Sequence, residues 1–306
     1  MTIKRSGALF LKTAPRVVMR KFSNAFRKYY LDLTLALPGL LLLTTFFVAP
    51  AIAIFIVSFT KWPIIGRPTF IGLQNYYRLF RDEFFINALK NTFYYTSILV
   101  PSITILSFML ALLLRNLTRG REFFKAIYIF PMVVTLTSTA AIWKGMLLPF
   151  GPLNQILIKC GLSPIEFLSV ELVIPSLCLV LIWRDIGYYA LYFLAGLESI
   201  SPEILEAATV DGAGPLHRFC YIIFPLMRPI VILVSILTTI GSFMIFTLVY
   251  VITGGGPAYA SQALLNYIYD VGWKEFRMGY AAATAVVYFA TLFVLTMIQR
   301  LVIKYE

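Results

Sequence analysis

The chain has 306 residues, 60% hydrophobic and only 13% charged, against about 25% charged in an ordinary soluble domain. Its formal net charge is +12, from 26 Lys and Arg and 14 Asp and Glu, and eight of the basic residues precede residue 30. A basic cluster beside long apolar runs marks a cytoplasmic anchor next to anionic lipid, and it excludes a basic nucleic-acid surface spread over a soluble fold.

Residues 1–32 are this basic tail. Val18, Phe22, Phe26 and Tyr29 recur in it at helical spacing, so it either lies partly along a membrane surface or stays disordered. The apolar run that follows is too long for a cleavable signal and lacks a small-residue cleavage site. Leu33 to Thr60 reads as a first membrane span, since about 18 or more apolar residues suffice to cross a bilayer. Residues 61–90 form a mixed connector on the outside, with Trp62-Pro63 and Gly66-Arg67-Pro68 as turn signals.

Residues 91–303 hold five more spans. Phe93 to Leu114 is the second, with Pro101 tolerated as a kink. Arg115 to Arg121 is a short basic inside loop. Phe123 to Trp143 is the third, with the hydroxyl-rich middle Thr135-Leu136-Thr137-Ser138-Thr139. Residues 144–170 return outside. Val173 to Leu197 is the fourth span and carries Arg184-Asp185 in its interior. Leu226 to Ile252 is the fifth, Gly254-Gly255-Gly256-Pro257 breaks the chain outside, and Gly279 to Ile303 is the sixth, with Lys304 and Glu306 ending inside. Six spans leave both ends on one side. The segments assigned inside hold 16 Lys and Arg and those outside hold nine, with Arg184 intramembrane. That is the sign the positive-inside rule requires.

Between the fourth and fifth spans lies a cytoplasmic loop, residues 198–225. Ser201 as cap, Pro202 at the first helical position and Glu203 in the first turn start a helix, and Gly212 stops it. Gly214-Pro215 begins a second short helix. Ala207 and Ala208 leave a face of little bulk that another protein's surface can approach closely, although an ordinary amphipathic loop has the same composition.

No catalytic constellation is present. Cys160 falls outside, Cys178 within the membrane and Cys220 on the cytoplasmic side, so no two share a compartment and they form neither a disulfide framework nor a metal site. His217, the single histidine, reads as a solvated loop residue. The run Gly254 to Pro257 lacks the lysine of a phosphate loop. Any energy coupling must borrow an ATPase from another chain.

The loop residues Glu206, Ala207, Ala208, Gly212, Ile222 and Pro225 match, at six of seven positions, the EAA loop of permease subunits of binding-protein-dependent ABC importers, with Phe224 in place of the family's Leu. Asn87-Ala88-Leu89-Lys90-Asn91-Thr92 resembles the entry to the transport core of sugar permeases. Tyr250 through Pro257 is similar to the external turn of the maltose- and glycerol-phosphate-type branch. The resemblance covers roughly residues 87–303. It implies an all-α membrane protein of the type I ABC importer permease fold, with six transmembrane helices and N- and C-termini cytoplasmic, multi-pass in the bacterial plasma (inner) membrane. It implies that residues 198–225 form a coupling helix seated in a groove of the ATPase. It further implies a second permease subunit, usually a different chain, two ATPase subunits carrying ATP and Mg, and an extracytoplasmic solute-binding protein. No cofactor, metal or nucleic acid is expected on this chain.

For the solute path, Asp185 lies twelve residues from each end of the fourth span. An ion there costs at least about 2.5–3.5 kcal/mol against lipid, so it faces a partner or a wet cavity. Arg184 and Asp185 point about 100° apart, which argues against simple mutual neutralisation, while Tyr188 neighbours both. Thr238 and Ser242 in the fifth span and Thr135 and Thr139 in the third are expected to line the same cavity, which suits a polyhydroxylated solute. An interhelical ion pair that locks the bundle is the competing reading. The segment 252–278 either meets the binding protein, helps seal the pore or is a plain turn. A self-contained secondary carrier or channel for a small polar solute is the alternative function. It leaves the EAA loop without a role.

Overall fold

The structure, a computed structural model, describes residues 34–117 and 119–302; the basic tail 1–32, Lys304 and Glu306 lie outside the described residues. It divides into two compact units, one ending at Ile56 and one from Val57 onward. The described residues of the first unit all lie in α1, Thr34–Val57, whose run of leucine, isoleucine and phenylalanine has no polar face and which contains one wide π-type turn at Thr44–Val48.

The second unit opens with a hairpin, β1 Thr60–Lys61 paired antiparallel to β2 Thr69–Phe70. The Asn75 side chain, on α2 Gln74–Leu79, donates to the carbonyls of Ser58 and Thr60 at 2.8 and 2.9 Å and holds this hairpin in place. α3 runs from Glu83 to Asn116, 34 residues. It therefore starts ten residues before the expected Phe93 and shortens the connector, because the Asp82 carboxylate caps it through the Phe84 and Phe85 amides at 2.9 and 3.4 Å. Pro101 sits inside it.

The third span departs most from expectation. Phe123 to Trp143 is not one helix but α4, Arg121–Val133, and α5, Leu136–Leu147, bent by 90° at Val134-Thr135. Val134 is extended and Thr135 caps the new helix by accepting from the Ser138 amide, so the break is a helix stop and restart without glycine. α6, Pro152–Lys159, follows. α7, Val173–Glu198, matches the fourth span almost residue for residue. α8 is Pro202–Val210. Pro215 starts α9, which is not a short separate helix: it continues to Phe243 with a π-type turn at Phe219–Ile223. The expected fifth span, Leu226 to Ile252, is accordingly broken at Met244-Ile245 and resumes as α10, Phe246–Ile252. α11, Leu264–Tyr269, and α12, Met278–Val302, complete the chain. Among the described residues, five helices are long and apolar enough to cross a membrane, or six if the bent pair counts as one span.

Close approach builds the bundle. α3 packs along α7, with Phe108 and Phe193 stacked at 5.0 Å and the Ser107 hydroxyl donating to the Ile186 carbonyl at 2.9 Å. At Gly187 any Cβ would collide with the Tyr128 carbonyl, so only glycine lets α4 lie against α7 there. Two segments distant in sequence meet at one end. The Asn91 amide donates to the carbonyls of Tyr259 and Gln262 at 3.1 and 3.0 Å, and the Thr92 hydroxyl accepts from the Leu264 amide at 2.9 Å. The polar run 87–92 thus lies within α3 and holds the turn that follows Gly254 to Pro257.

Candidate functional site

A cavity of about 390 Å³ opens among α3, α4, α7 and α9, against the breaks in the third and fifth spans. Met132 and Leu136 flank the first break and Met244 and Ile245 form the second. Backbone interrupted at membrane depth is tolerated where it is buried in protein or lines a polar cavity. Arg184, Asp185 and Tyr188 enter from α7, and Thr238 and Ser242 from α9. Five of the seven residues named from the sequence therefore line one cavity. Thr135 and Thr139 do not. Thr135 is committed to capping α5, and Thr139 is buried; the 90° bend turns both away.

Arg184 and Asp185 do neutralise each other, contrary to the argument from helical angles. Arg184 Nη1 donates to Asp185 Oδ1 at 2.7 Å, with side-chain exposures of 17% and 19%. Angular spacing describes the Cα–Cβ directions, whereas the guanidinium ends a long flexible stem and swings back onto its neighbour. The pair is also intrahelical, so it does not lock two helices together. The Tyr188 and Tyr192 hydroxyls share a hydrogen bond at 2.9 Å. The Thr238 hydroxyl donates to the Val234 carbonyl at 2.9 Å, and Ser242 lies 2.8 Å from the Thr239 carbonyl and 2.9 Å from the Thr96 hydroxyl. Tyr189, Gly241 and Thr247 also line the cavity. Tyr189 was legible as the i+4 neighbour of Asp185; Thr247 was not, because it follows a break that hydropathy does not reveal.

A second feature lies at the end of α7. Ser201 occupies the cap of α8, but its hydroxyl donates to the Glu203 carboxylate instead of closing the first turn. Gly212, at φ +81°, ends the helix as expected, with the Ala213 amide on the Ala208 carbonyl at 2.9 Å. Arg218 on α9 donates to the Thr209 hydroxyl at 2.8 Å, and an Arg121–Glu198 ion pair holds the end of α7 to the start of α4. Leu205, Phe219 and Ile223 pack onto the core beneath α8. Glu206, Ala207 and Gly212 are exposed, while Ala208, Ile222 and Pro225 are half-buried. The two alanines thus differ, as a helix of 3.6 residues per turn requires of neighbours. Two apolar residues not singled out from the sequence stand out instead: Val210 is 87% exposed and Leu216 77%. Apolar side chains flanking a turn between polar residues were the signal that marks them.

Comparison with known proteins agrees with this architecture. Residues 80–304 match the family described as binding-protein-dependent transport system inner membrane component. The chain is 30% identical over 281 residues to the sn-glycerol-3-phosphate transport system permease protein UgpA of Agrobacterium fabrum, covering 90% of this chain and 96% of that one. It is 33% identical over 273 residues to the arabinooligosaccharides transport system permease protein AraP of Bacillus subtilis, covering 86% and 85%. In fold it resembles a chain of the crystal structure of a bacterial alginate ABC transporter in complex with alginate pentasaccharide-bound periplasmic protein. That likeness has a TM-score of 0.80 at 22% identity and covers 90% of this chain and 94% of that chain. The chain belongs to the family of binding-protein-dependent transport system inner membrane components.

Proposed function

We propose that this inner-membrane chain is the permease subunit of an ATP-driven importer and forms half of its translocation pore. The solute is a sugar or related polyhydroxylated compound delivered by an extracytoplasmic binding protein. The observation that carries the reading is one of connectivity. The loop with the EAA residues joins α7 to α9, the helices that supply Arg184, Asp185, Thr238 and Ser242 to the cavity. A partner that grips α8 therefore pulls on two walls of the cavity at once.

In this reading both termini and α8 are cytoplasmic, as the placement of Lys and Arg favours. Glu206, Ala207, Ala208, Gly212, Ile222 and Pro225 shape the docking knob, with exposed Val210 and Leu216 as its apolar contacts. Two ATPase subunits bind ATP and Mg and carry the hydrolysis, so this chain is not itself an enzyme. A second permease subunit, a different chain, completes the pore, and the segment around Gly254 to Pro257 faces the binding protein. The names of the relatives support the solute class, since they specify glycerol phosphate and arabinooligosaccharides.

Affinity purification of the tagged chain from inner membranes tests this. The expected result is an ATPase and a second permease in the eluate, with ATP hydrolysis in proteoliposomes. Solute movement by the purified chain alone, without an ATPase, would instead identify a self-contained carrier.

A further inference from the structure

We infer that a small basic pocket at the start of α12 binds a phosphate group, presented by an anionic phospholipid of the surrounding bilayer. The connector of residues 61–90 carries five Lys and Arg, more than half of the nine assigned outside, although outside segments are ordinarily poor in them. Two of the five, Lys61 and Arg78, meet Arg277 around a cavity of about 110 Å³. Among the described residues no carboxylate lines this cavity. Three segments bring the cations together. The Asn75 side chain pins α2 to the hairpin through the Ser58 and Thr60 carbonyls. At Gly279 any Cβ would collide with the Thr60 carbonyl, so only glycine lets the start of α12 lie against β1. The Arg277 guanidinium lies 4.3 Å from the centre of the Tyr280 ring, which fixes its plane.

Charge and size select the ligand. Arg277 gives Nη1 to Glu275 at 3.1 Å, while among the described residues Lys61 and Arg78 form no ion pair. The nearby Asp82 carboxylate is already occupied by the Tyr267 and Tyr280 hydroxyls and by two backbone amides. The pocket is therefore left with a positive charge that an anion balances. At about 30 Å³ per water, it has room for roughly four waters or one phosphate group, and not for a sugar. Guanidinium forks match phosphate oxygens in pairs, and an ammonium adds a point charge. Position selects the source. Gly279 is the second residue of the α12 span, and Lys61 follows the end of α1 by four residues. That is the depth of lipid headgroups, where aromatic residues such as Trp62 and Tyr280, both lining the pocket, are common. Ile65, Phe70 and Tyr77, on the same hairpin and helix, are exposed and give the rest of a lipid an apolar surface. A zwitterionic headgroup would bring an ammonium that no lining carboxylate receives, so an anionic lipid fits better.

The pocket lies on this chain alone, and its occupancy is independent of any ATPase. The full chain, purified with its partner subunits in a neutral detergent, is titrated with phosphatidylglycerol, phosphatidylcholine or inorganic phosphate. Acetylation of the Lys61 amine is read by mass, with Lys159, exposed on α6, as the internal reference. Phosphatidylglycerol is expected to slow Lys61 labelling relative to Lys159, and the other two probes at equal concentration to leave the ratio unchanged. Arg78→Gln should raise the half-protecting lipid fraction about fivefold, the effect of one cation near a lipid surface. Arg78→Gln/Arg277→Gln should raise it roughly 25-fold. Arg78→Lys keeps the charge and a midpoint near the parent's, which separates loss of the cation from damage to α2. Arg67→Gln removes a connector cation that does not line the pocket and should move the midpoint less than about twofold. Equal protection by phosphatidylcholine or by inorganic phosphate overturns the assignment to an anionic lipid. An Arg67→Gln effect as large as that of Arg78→Gln overturns it too, since attraction would then be diffuse. Lys61 labelling that no probe slows overturns the phosphate pocket itself.

Discussion

The Tyr267 hydroxyl donates to the Asp82 carboxylate at 2.7 Å across 185 positions of sequence. The Tyr280 hydroxyl reaches the same oxygen at 2.8 Å, while the other oxygen caps α3. One carboxylate thus ties the start of α3 to α11 and α12. Burial pushes this carboxyl up, but the two tyrosine hydroxyls and the Phe85 and Phe84 amides together hold it below the ordinary 3.8. The Tyr267 phenol is pushed well above its usual range by burial and by Asp82, so it remains a donor.

A depressed folded-state pKa stabilises the protein above the unfolded value, and that contribution disappears as pH falls through the folded value. Asp82→Asn is therefore expected to lower the thermal midpoint of the detergent-purified complex at pH 7. The loss corresponds to about 1 kcal/mol, a modest value because the group is largely solvated. The gap between variant and parent should close as pH drops below 3.8. Melting curves at several pH values check this, and a gap that widens in acid would contradict it.

Gly187 and Gly145 make a matched pair. A Cβ at Gly187 meets the Tyr128 backbone, whereas one at Gly145 meets nothing within 4 Å. Gly187→Ala should push α4 off α7 at a cost of about 1–3 kcal/mol and reduce transport. Gly145→Ala, in α5, should be neutral or slightly stabilising, since alanine is the better helix former. Thermal stability of both variants decides, and equal midpoints would show that α4 and α7 do not depend on this contact.

Docking is tested at Ala207, which is exposed in this chain. Ala207→Trp adds bulk without any clash inside the chain and is expected to leave membrane insertion intact. Copurification of the ATPase should fall severalfold, or hydrolysis should run without transport. Normal transport with normal ATPase recovery would show that the face is not a docking surface.

Asn91→Leu removes both amide bonds to the Tyr259 and Gln262 carbonyls. The loss of two hydrogen bonds, roughly 1–3 kcal/mol, should loosen the turn locally. Hydrogen exchange of the amides from Ala258 to Gln262 is expected to accelerate by tenfold or more. Unchanged exchange there would mean that the turn is held by its own backbone.

Features governed by contiguous residues were legible in the sequence. Apolar runs set the spans, because a bilayer demands only length and hydropathy. Pro202 and Gly212 set the bounds of α8, because a helix start and stop depend on the neighbouring φ and ψ alone. The polar pair inside α7 identified the wall of the cavity, since charge in an apolar helix has few places to face. Tertiary structure decided the rest. Both halves flanking Val134-Thr135 are apolar, so hydropathy reads one span although Pro131 stands in the last turn before the stop, and packing of α5 on α10 accompanies the 90° bend. That bend removed Thr135 and Thr139 from the cavity. The Arg184–Asp185 bond depends on rotamers that a helical wheel does not describe. The bonds from Asp82 and Asn91 join residues more than 160 positions apart, and such partners exist only once the chain has folded.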